Sequence, residues 1–252
     1  MTVKKEILDG IYTKYTRRDL VHPDPLEFLY SYEDVRDREI VGLLASSLAY
    51  GRVAQILKSV SAVLEKMGAS PFDFVVDSSD ESIRKIFKNF KHRFSTGHDL
   101  SNLVVGIKRA VGGYGSLNNA FVSLGMLGFV NFLKDGCSCN LLPDPRLGSA
   151  CKRLNLFLRW MVRNDNVDPG GWKGIKKSDL IVPLDTHMFK IGRLLGFTKR
   201  NAADIVTAKE ITFALAKFSE DDPVKYDFAL TRFGIRDDMN IENLLTKLDK
   251  NR

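Results

Sequence analysis

Residues 143–165, PDPRLGSACKRLNLFLRWMVRND, and residues 180–197, LIVPLDTHMFKIGRLLGF, decide how this chain is read. The first opens on a loop rich in proline and glycine and becomes an amphipathic helix near Lys152. Along it Lys152, Asn155, Arg159 and Arg163 fall at offsets 0, 3, 7 and 11, one polar stripe at the helical period. Leu154, Phe157, Leu158 and Met161 form the opposing apolar stripe. The second stretch is a short apolar run that delivers Asp185 to the start of a helix with apolar positions Met188, Ile191, Leu194 and Leu195. Aspartate at such a spot is a favoured N-cap. A lysine amine and a carboxylate thus stand at the edges of apolar elements. Two readings stay open: the wet face and the cap of ordinary helices, or a reactive pair.

Outward from this centre the pattern stays helical. In residues 3–20, Ile7, Ile11 and Tyr15 are spaced by four, and the prolines of HPDP at 22–25 break the run. Residues 26–32 and 38–48 read as helices, the second so uniformly apolar that it is expected to be buried on most sides. Tyr50-Gly51-Arg52 interrupts it. The pattern resumes at Val53 and ends at Gly68, a C-cap residue. Tyr50, Arg52 and Gln55 therefore sit at a helix corner, either solvated or reaching a nucleic-acid backbone. Residues 81–94 alternate Ile83, Ile86, Phe87, Phe90 and Phe94 with basic residues. This is expected to be a core stripe with a basic outer face, the other reading being a stacking surface for single strands. Helices are expected at 99–110, 202–218 and 221–235, with Pro223 in the first turn of the last and a short helix in the charged tail from Arg236, while 117–133 is an apolar, glycine-dotted run. The turn-rich residues 163–179 carry Trp172 as an anchor. LIVPL at 180–184 is the one convincing extended segment, so the chain is expected to be all-α.

The 252 residues suffice for one large domain or two intimately packed lobes. A formal net charge of +7 favours an anionic partner, nucleic acid first. The N-terminus has no apolar segment of the signal-peptide kind, and no run reaches the roughly 18 apolar residues of a membrane span. Cys137, Cys139 and Cys151 are an odd number in a short segment, which argues against a disulfide framework and for a reducing cytoplasm. They match no standard zinc spacing.

Three stretches resemble the helix–hairpin–helix DNA glycosylases, the endonuclease III and MutY superfamily. PLDTHMFKIGRLLGF looks like the segment carrying their catalytic aspartate, matching at Asp185, Thr186, His187, Phe189, Arg193 and Leu194. LLASSLAYGRVAQILKSVSAVLEKMG is similar to their first core helix pair, where a short polar turn meets DNA. VKYDFALTRFGI is similar to their final helix, which packs behind the site. In the lysine-bearing members a lysine opens the helix before the aspartate segment, and Lys152 holds that position. The 33 residues from Lys152 to Asp185 are closer to the archaeal 8-oxoguanine glycosylase branch than to the endonuclease III type. GSACKRLNLFLRWMVR, PLDTH and DPVKYDFALTRFGI together resemble, over nearly the whole chain, the DUF2400 group of uncharacterised bacterial proteins. In place of the hairpin consensus LPGVGxKTA stands LPDPRLGSACK, and no cysteine follows Gly234 to build the iron–sulfur cluster of many members.

The resemblance implies an all-α, two-lobed unit with a cleft, one lobe at about 36–140 and the other from 1–35 with 141–252. It implies a base-excision glycosylase acting on DNA, with lyase activity through a Schiff base on Lys152 and Asp185 stabilising the sugar cation. Tyr50, Arg52, Gln55, Ser149, Arg153, Arg159, His187 and Lys190 are the expected nucleic-acid contacts, with Trp160 a stacking candidate more at home in the core. No cofactor or metal, no membrane and a monomer are expected. The alternatives are a non-catalytic nucleic-acid-binding protein on the same scaffold and a nucleotide-processing enzyme using the cleft.

Overall fold

The computed structural model describes residues 5–136, 140–235 and 239. Helices follow one another along the chain: α1 (Lys5–Tyr15), α2 (Val35–Ser47), α3 (Val53–Met67), α4 (Pro71–Asp77), α5 (Asp80–Phe87), α6 (Gly97–Tyr114) and α7 (Leu117–Lys134), then α8 (Lys152–Val162), α9 (Thr186–Leu194), α10 (Ile205–Ala216) and α11 (Asp227–Ile235). The chain is mostly helical, as its periodicity predicts. Short polar side chains start these helices: Asp34, Ser70, Ser79, Ser116, Asp185 and Asp204 each accept a backbone N–H from the first turn.

The uniformly apolar α2 is buried on nearly every side and touches α3, α4, α7, α8 and the 3-10 turn Pro25–Ser31. α6 and α7 pack tightly together, with a turn of 108° between them. A Cβ on Gly106 would stand 2.2 Å from the carbonyl of Leu133, so only glycine permits that approach. α11 lies between α1 and α9, and a Cβ on Gly234 would stand 2.5 Å from the His187 ring. One apolar core runs from Leu8 to Phe233. No single helix among the described residues is long and apolar enough to cross a membrane.

Several local expectations are corrected. The helix expected over 81–94 stops at Phe87, and Lys91–His92 (β1) pairs antiparallel with Ser95–Thr96 (β2). Tertiary contacts override the helical period there. His92 turns inward to meet Ser59 Oγ at 2.9 Å and the Tyr50 carbonyl at 3.0 Å. Gly97 closes on the carbonyls of Phe87 and Lys88, where a Cβ has no room. Phe94 consequently stands at the hairpin tip, 76% exposed, outside the core stripe. The helix expected at 26–32 is instead the 3-10 turn Pro25–Ser31. Leu180–Leu184 is extended but joins no sheet. Pro223 lies in a turn ahead of α11 instead of inside its first turn. Trp172 does anchor its segment: its Nε1 donates to Glu39 at 2.8 Å, and its ring packs against Phe121 and Phe157. Trp160 is core, with no exposed surface. The expected C-terminal helix and the Cys137–Cys139 pair lie outside the described residues.

Candidate active site

A cleft of about 560 Å³ opens where the α2–α3 corner, the starts of α8 and α9, and α11 converge. That volume lies within the usual range for a small-molecule or single-nucleoside site. The corner exists because Gly51, at φ +100°, reverses the chain between the two helices. Its tightness brings the ends of Tyr50 and Arg153 together, the guanidinium lying 5.0 Å from the Tyr50 ring centre.

Lys152 is the first residue of α8. The turn before it carries two left-handed residues, Gly148 and Cys151, and Ser149 Oγ accepts the Cys151 N–H at 3.2 Å. This bend directs the half-buried Lys152 side chain to the end of α2, where Nζ donates to the Ala49 carbonyl at 3.1 Å. Arg153 reaches the same end, donating to the Ser47 and Asn140 carbonyls at 2.9 and 2.8 Å. Unsatisfied carbonyls at a helix C-terminus attract cations. Asp185 is the N-cap of α9, its Oδ1 accepting the Met188 N–H at 2.7 Å. The extended Leu180–Leu184 run, buried at Val182 and Leu184, fixes where that cap falls. Lys152 and Asp185 line the same cleft.

Tyr50, Ser149, Arg153, Arg159 and His187 also line it, whereas Arg52, Gln55 and Lys190 do not. Gln55 instead donates to Ser59 Oγ at 3.1 Å on its own helix. Arg52 and Lys190 are exposed. A second hollow, lined by Tyr50, Phe94, Ser95, Asn140 and Arg153, adjoins the cleft through Tyr50 and Arg153. Tyr50 Oη braces the hairpin there, donating to the His92 carbonyl and meeting Ser95 Oγ at 2.8 Å. Burial pushes the His92 ring below its ordinary pKa, so it serves as a neutral brace.

The polar stripe of α8 is not a wet face. Asn155, Arg159 and Arg163 are 2, 3 and 2% exposed. Arg159 is clamped between Asp168 and Asp227, and Arg163 between Asp165, Asp168 and Asp222. Burial works to lower both guanidinium pKa values, and these carboxylates outweigh it. Arg159 is therefore corrected from a phosphate contact to a buried, carboxylate-paired residue of the cleft floor.

That floor holds residues absent from the sequence reading: Asp24, Asp227, Thr231 and Arg232. Arg232 Nη2 donates to Asp24 Oδ2 at 3.0 Å. Asp227 is 2% exposed, and one of its carboxyl oxygens, Oδ1, has no hydrogen-bond partner among the described residues. Burial and the nearby Asp185 carboxylate push the Asp227 carboxyl up to about 6 against the pull of Arg159. The available signal was indirect: two arginines on one helix face need carboxylates. The chain offers many aspartates in turns, and spacing cannot choose among them. Among the described residues no three His, Cys, Asp or Glu side chains gather as a metal site.

No curated protein and no solved structure matches the chain. The family model for "Protein of unknown function (DUF2400)" matches residues 24–236, which takes in the cleft from Asp24 through Ile235, and the chain belongs to that family.

Proposed function

We propose that the cleft receives a nucleoside extruded from DNA and that the protein is a base-excision glycosylase with lyase activity through Lys152. One observation carries this reading. A primary amine and a carboxylate, 33 residues apart in the chain, each fixed at a helix start, line a single nucleoside-sized cleft. Further support comes from the lining, drawn from the α2–α3 corner on one side and from residues 23–25 and 143–235 on the other. This fits a cleft between lobes of about 36–140 and of 1–35 with 141–252. The adjoining hollow offers the exposed Phe94 and the Tyr50–Arg153 pair as surfaces on which unstacked bases can lie.

The chemistry then runs as follows. The neutral Lys152 amine adds to the sugar C1′, and the C1′–N bond breaks with its electron pair leaving on the base. The sugar carries positive charge in this step, and the Asp185 carboxylate offsets it. Asp185 takes the proton released by the new C1′–N(Lys) bond and returns it to O4′ as the ring opens to a Schiff base. Asp185, a carboxylate again, takes a C2′ proton, and the C–H electron pair expels the 3′-phosphate through the imine and nicks the strand.

Borohydride trapping on a duplex with one abasic site tests the reading. The wild type is expected to form a covalent adduct and Lys152→Ala none. Absence of an adduct with the wild type, or its persistence in Lys152→Ala, refutes the lyase assignment. The second reading, a non-catalytic DNA-binding protein, is favoured by the capping bonds that Lys152, Arg153 and Asp185 already make. It predicts salt-sensitive DNA binding with no adduct.

A further inference from the structure

Excision needs two different things from acidic groups: negative charge beside the sugar, and a proton for the departing base. Asp185 is placed for the first. Its carboxylate sits at the N-terminus of α9 and accepts an amide N–H there. Asp227, first residue of the neighbouring α11, lines the same cleft in a different environment. It is shut from solvent, one oxygen is held by Arg159, and Oδ1, on a residue that lines the cleft, has no partner among the described residues. A buried polar oxygen without a partner is costly, and few are found in folded proteins. At the edge of a cavity, a ligand atom is the natural partner.

We propose that Asp227 is the proton donor to the departing base, a second reacting carboxyl whose role is separate from that of Asp185. The inference rests on the glycosylase reading and deepens it. The ligand is a nitrogen heterocycle with a ring nitrogen that can accept a proton. The Oδ1–H proton passes to that nitrogen while the C1′–N bond electrons move onto the base, so the base departs neutral. Asp227 is left as a carboxylate against Arg159, and bulk water reprotonates it after product leaves.

The charged groups around Asp227 agree with this role. From α8 comes Arg159, from the turn after it Asp168, and from the head of α9 Asp185, with His187 a turn further. α1 contributes Asp9, held by Lys225 Nζ and Tyr226 Oη just before Asp227. Arg232 on its own helix is turned to Asp24. Burial and the two neighbouring aspartates favour the protonated form and Arg159 opposes it, leaving the group near 6, close to the operating pH, where a general acid works best.

The test uses the full chain and two readouts. One is single-turnover base release from duplexes each carrying uracil, hypoxanthine or 8-oxoguanine. The other is borohydride trapping on an abasic duplex, which has no base to protonate. Asp227→Asn is expected to lower release about 100-fold or more while trapping stays within about threefold. In the wild type the ratio of release to trapping is expected to fall about tenfold per pH unit above about pH 6, because both need the Lys152 amine and only release needs the Asp227 proton. Unchanged release in Asp227→Asn overturns the proposal. If the variant loses both activities, the wild-type profile decides, and a release-to-trapping ratio that is flat from about pH 5 to pH 8 overturns it. A wild type that traps abasic DNA but releases none of the three bases overturns this inference alone; one that does neither overturns the glycosylase reading with it.

Discussion

Asp185 serves as a helix cap and stands in the cleft, and one substitution separates the two roles. Asparagine caps a helix about as well as aspartate but carries no charge. Asp185→Asn is therefore expected to keep its unfolding free energy within about 0.5 kcal/mol. It is expected to lose abasic-site trapping by about 100-fold or more, because only a carboxylate can take the proton of the attacking Lys152 amine and pass it on as the Schiff base forms. Asp185→Ala should lose both, costing about 1 kcal/mol in a denaturant titration. Equal losses of trapping and stability in Asp185→Asn would mark a residue that only caps. Phe94 offers a complementary probe. It is 76% exposed, so its removal should leave the fold intact. Phe94→Ala is expected to weaken single-stranded DNA binding by about 1–3 kcal/mol if a base stacks on it. Sequence gave both readings for this residue, core stripe and stacking surface. The inward turn of His92 takes Phe94 out of the core stripe, and that turn depends on Ser59 and Tyr50, far away in the chain.

Among the elements, α8 shows where periodicity stops being informative. Its two stripes were legible, since offsets of 0, 3, 7 and 11 fix which residues share a face. What covers each face was not. A stripe of lysine, asparagine and arginines reads as solvated, yet from Asn155 onward it is buried against aspartates from three separate segments. Removing one partner from such a network strands the others. Arg163→Met leaves Asp165, Asp168 and Asp222 facing one another without their shared cation, at an expected cost of about 3–5 kcal/mol in urea unfolding. The short elements followed the same rule. α2, α3 and α6 were read near their true bounds because long periodic runs outvote local noise. The β1–β2 hairpin has two residues per strand and no period to detect. In the cleft, Lys152 and Asp185 were legible because each opens a helix after a breaker. Asp227 was not, because nothing local sets it apart from the other turn aspartates.

At the scale of the whole molecule the net charge of +7 must be divided before it says anything about partners. Arg159, Arg163 and Arg232 are neutralised internally and cannot meet phosphate. Their carboxylates give the fold an acid limit. Burial works to raise the Asp165 carboxyl, but Arg163 and the amides of Val167 and Asp168 hold it below its ordinary value. A lowered carboxylate stabilises the fold above the unfolded value of about 3.9 and loses that contribution as pH falls through the folded one. Asp227 runs the other way, its stabilising share present at low pH and lost as pH rises through about 6. Thermal unfolding should therefore show stability dropping below about pH 4, and Asp165→Asn should flatten that slope. The cations left for DNA are exposed ones. Arg52 flanks the Gly51 corner, and Arg93, whose side chain lies against Gly51, stands beside Phe94 at the hairpin tip. Each phosphate these residues neutralise should contribute about 0.9 to the slope of log K against log salt on duplex DNA. The double variant Arg52→Gln, Arg93→Gln is expected to reduce that slope by about two, with no change in sequence preference. Arg163→Met should leave the slope untouched under conditions where it stays folded. An unaltered slope in the double variant would move the DNA track to another face and detach the cleft from it.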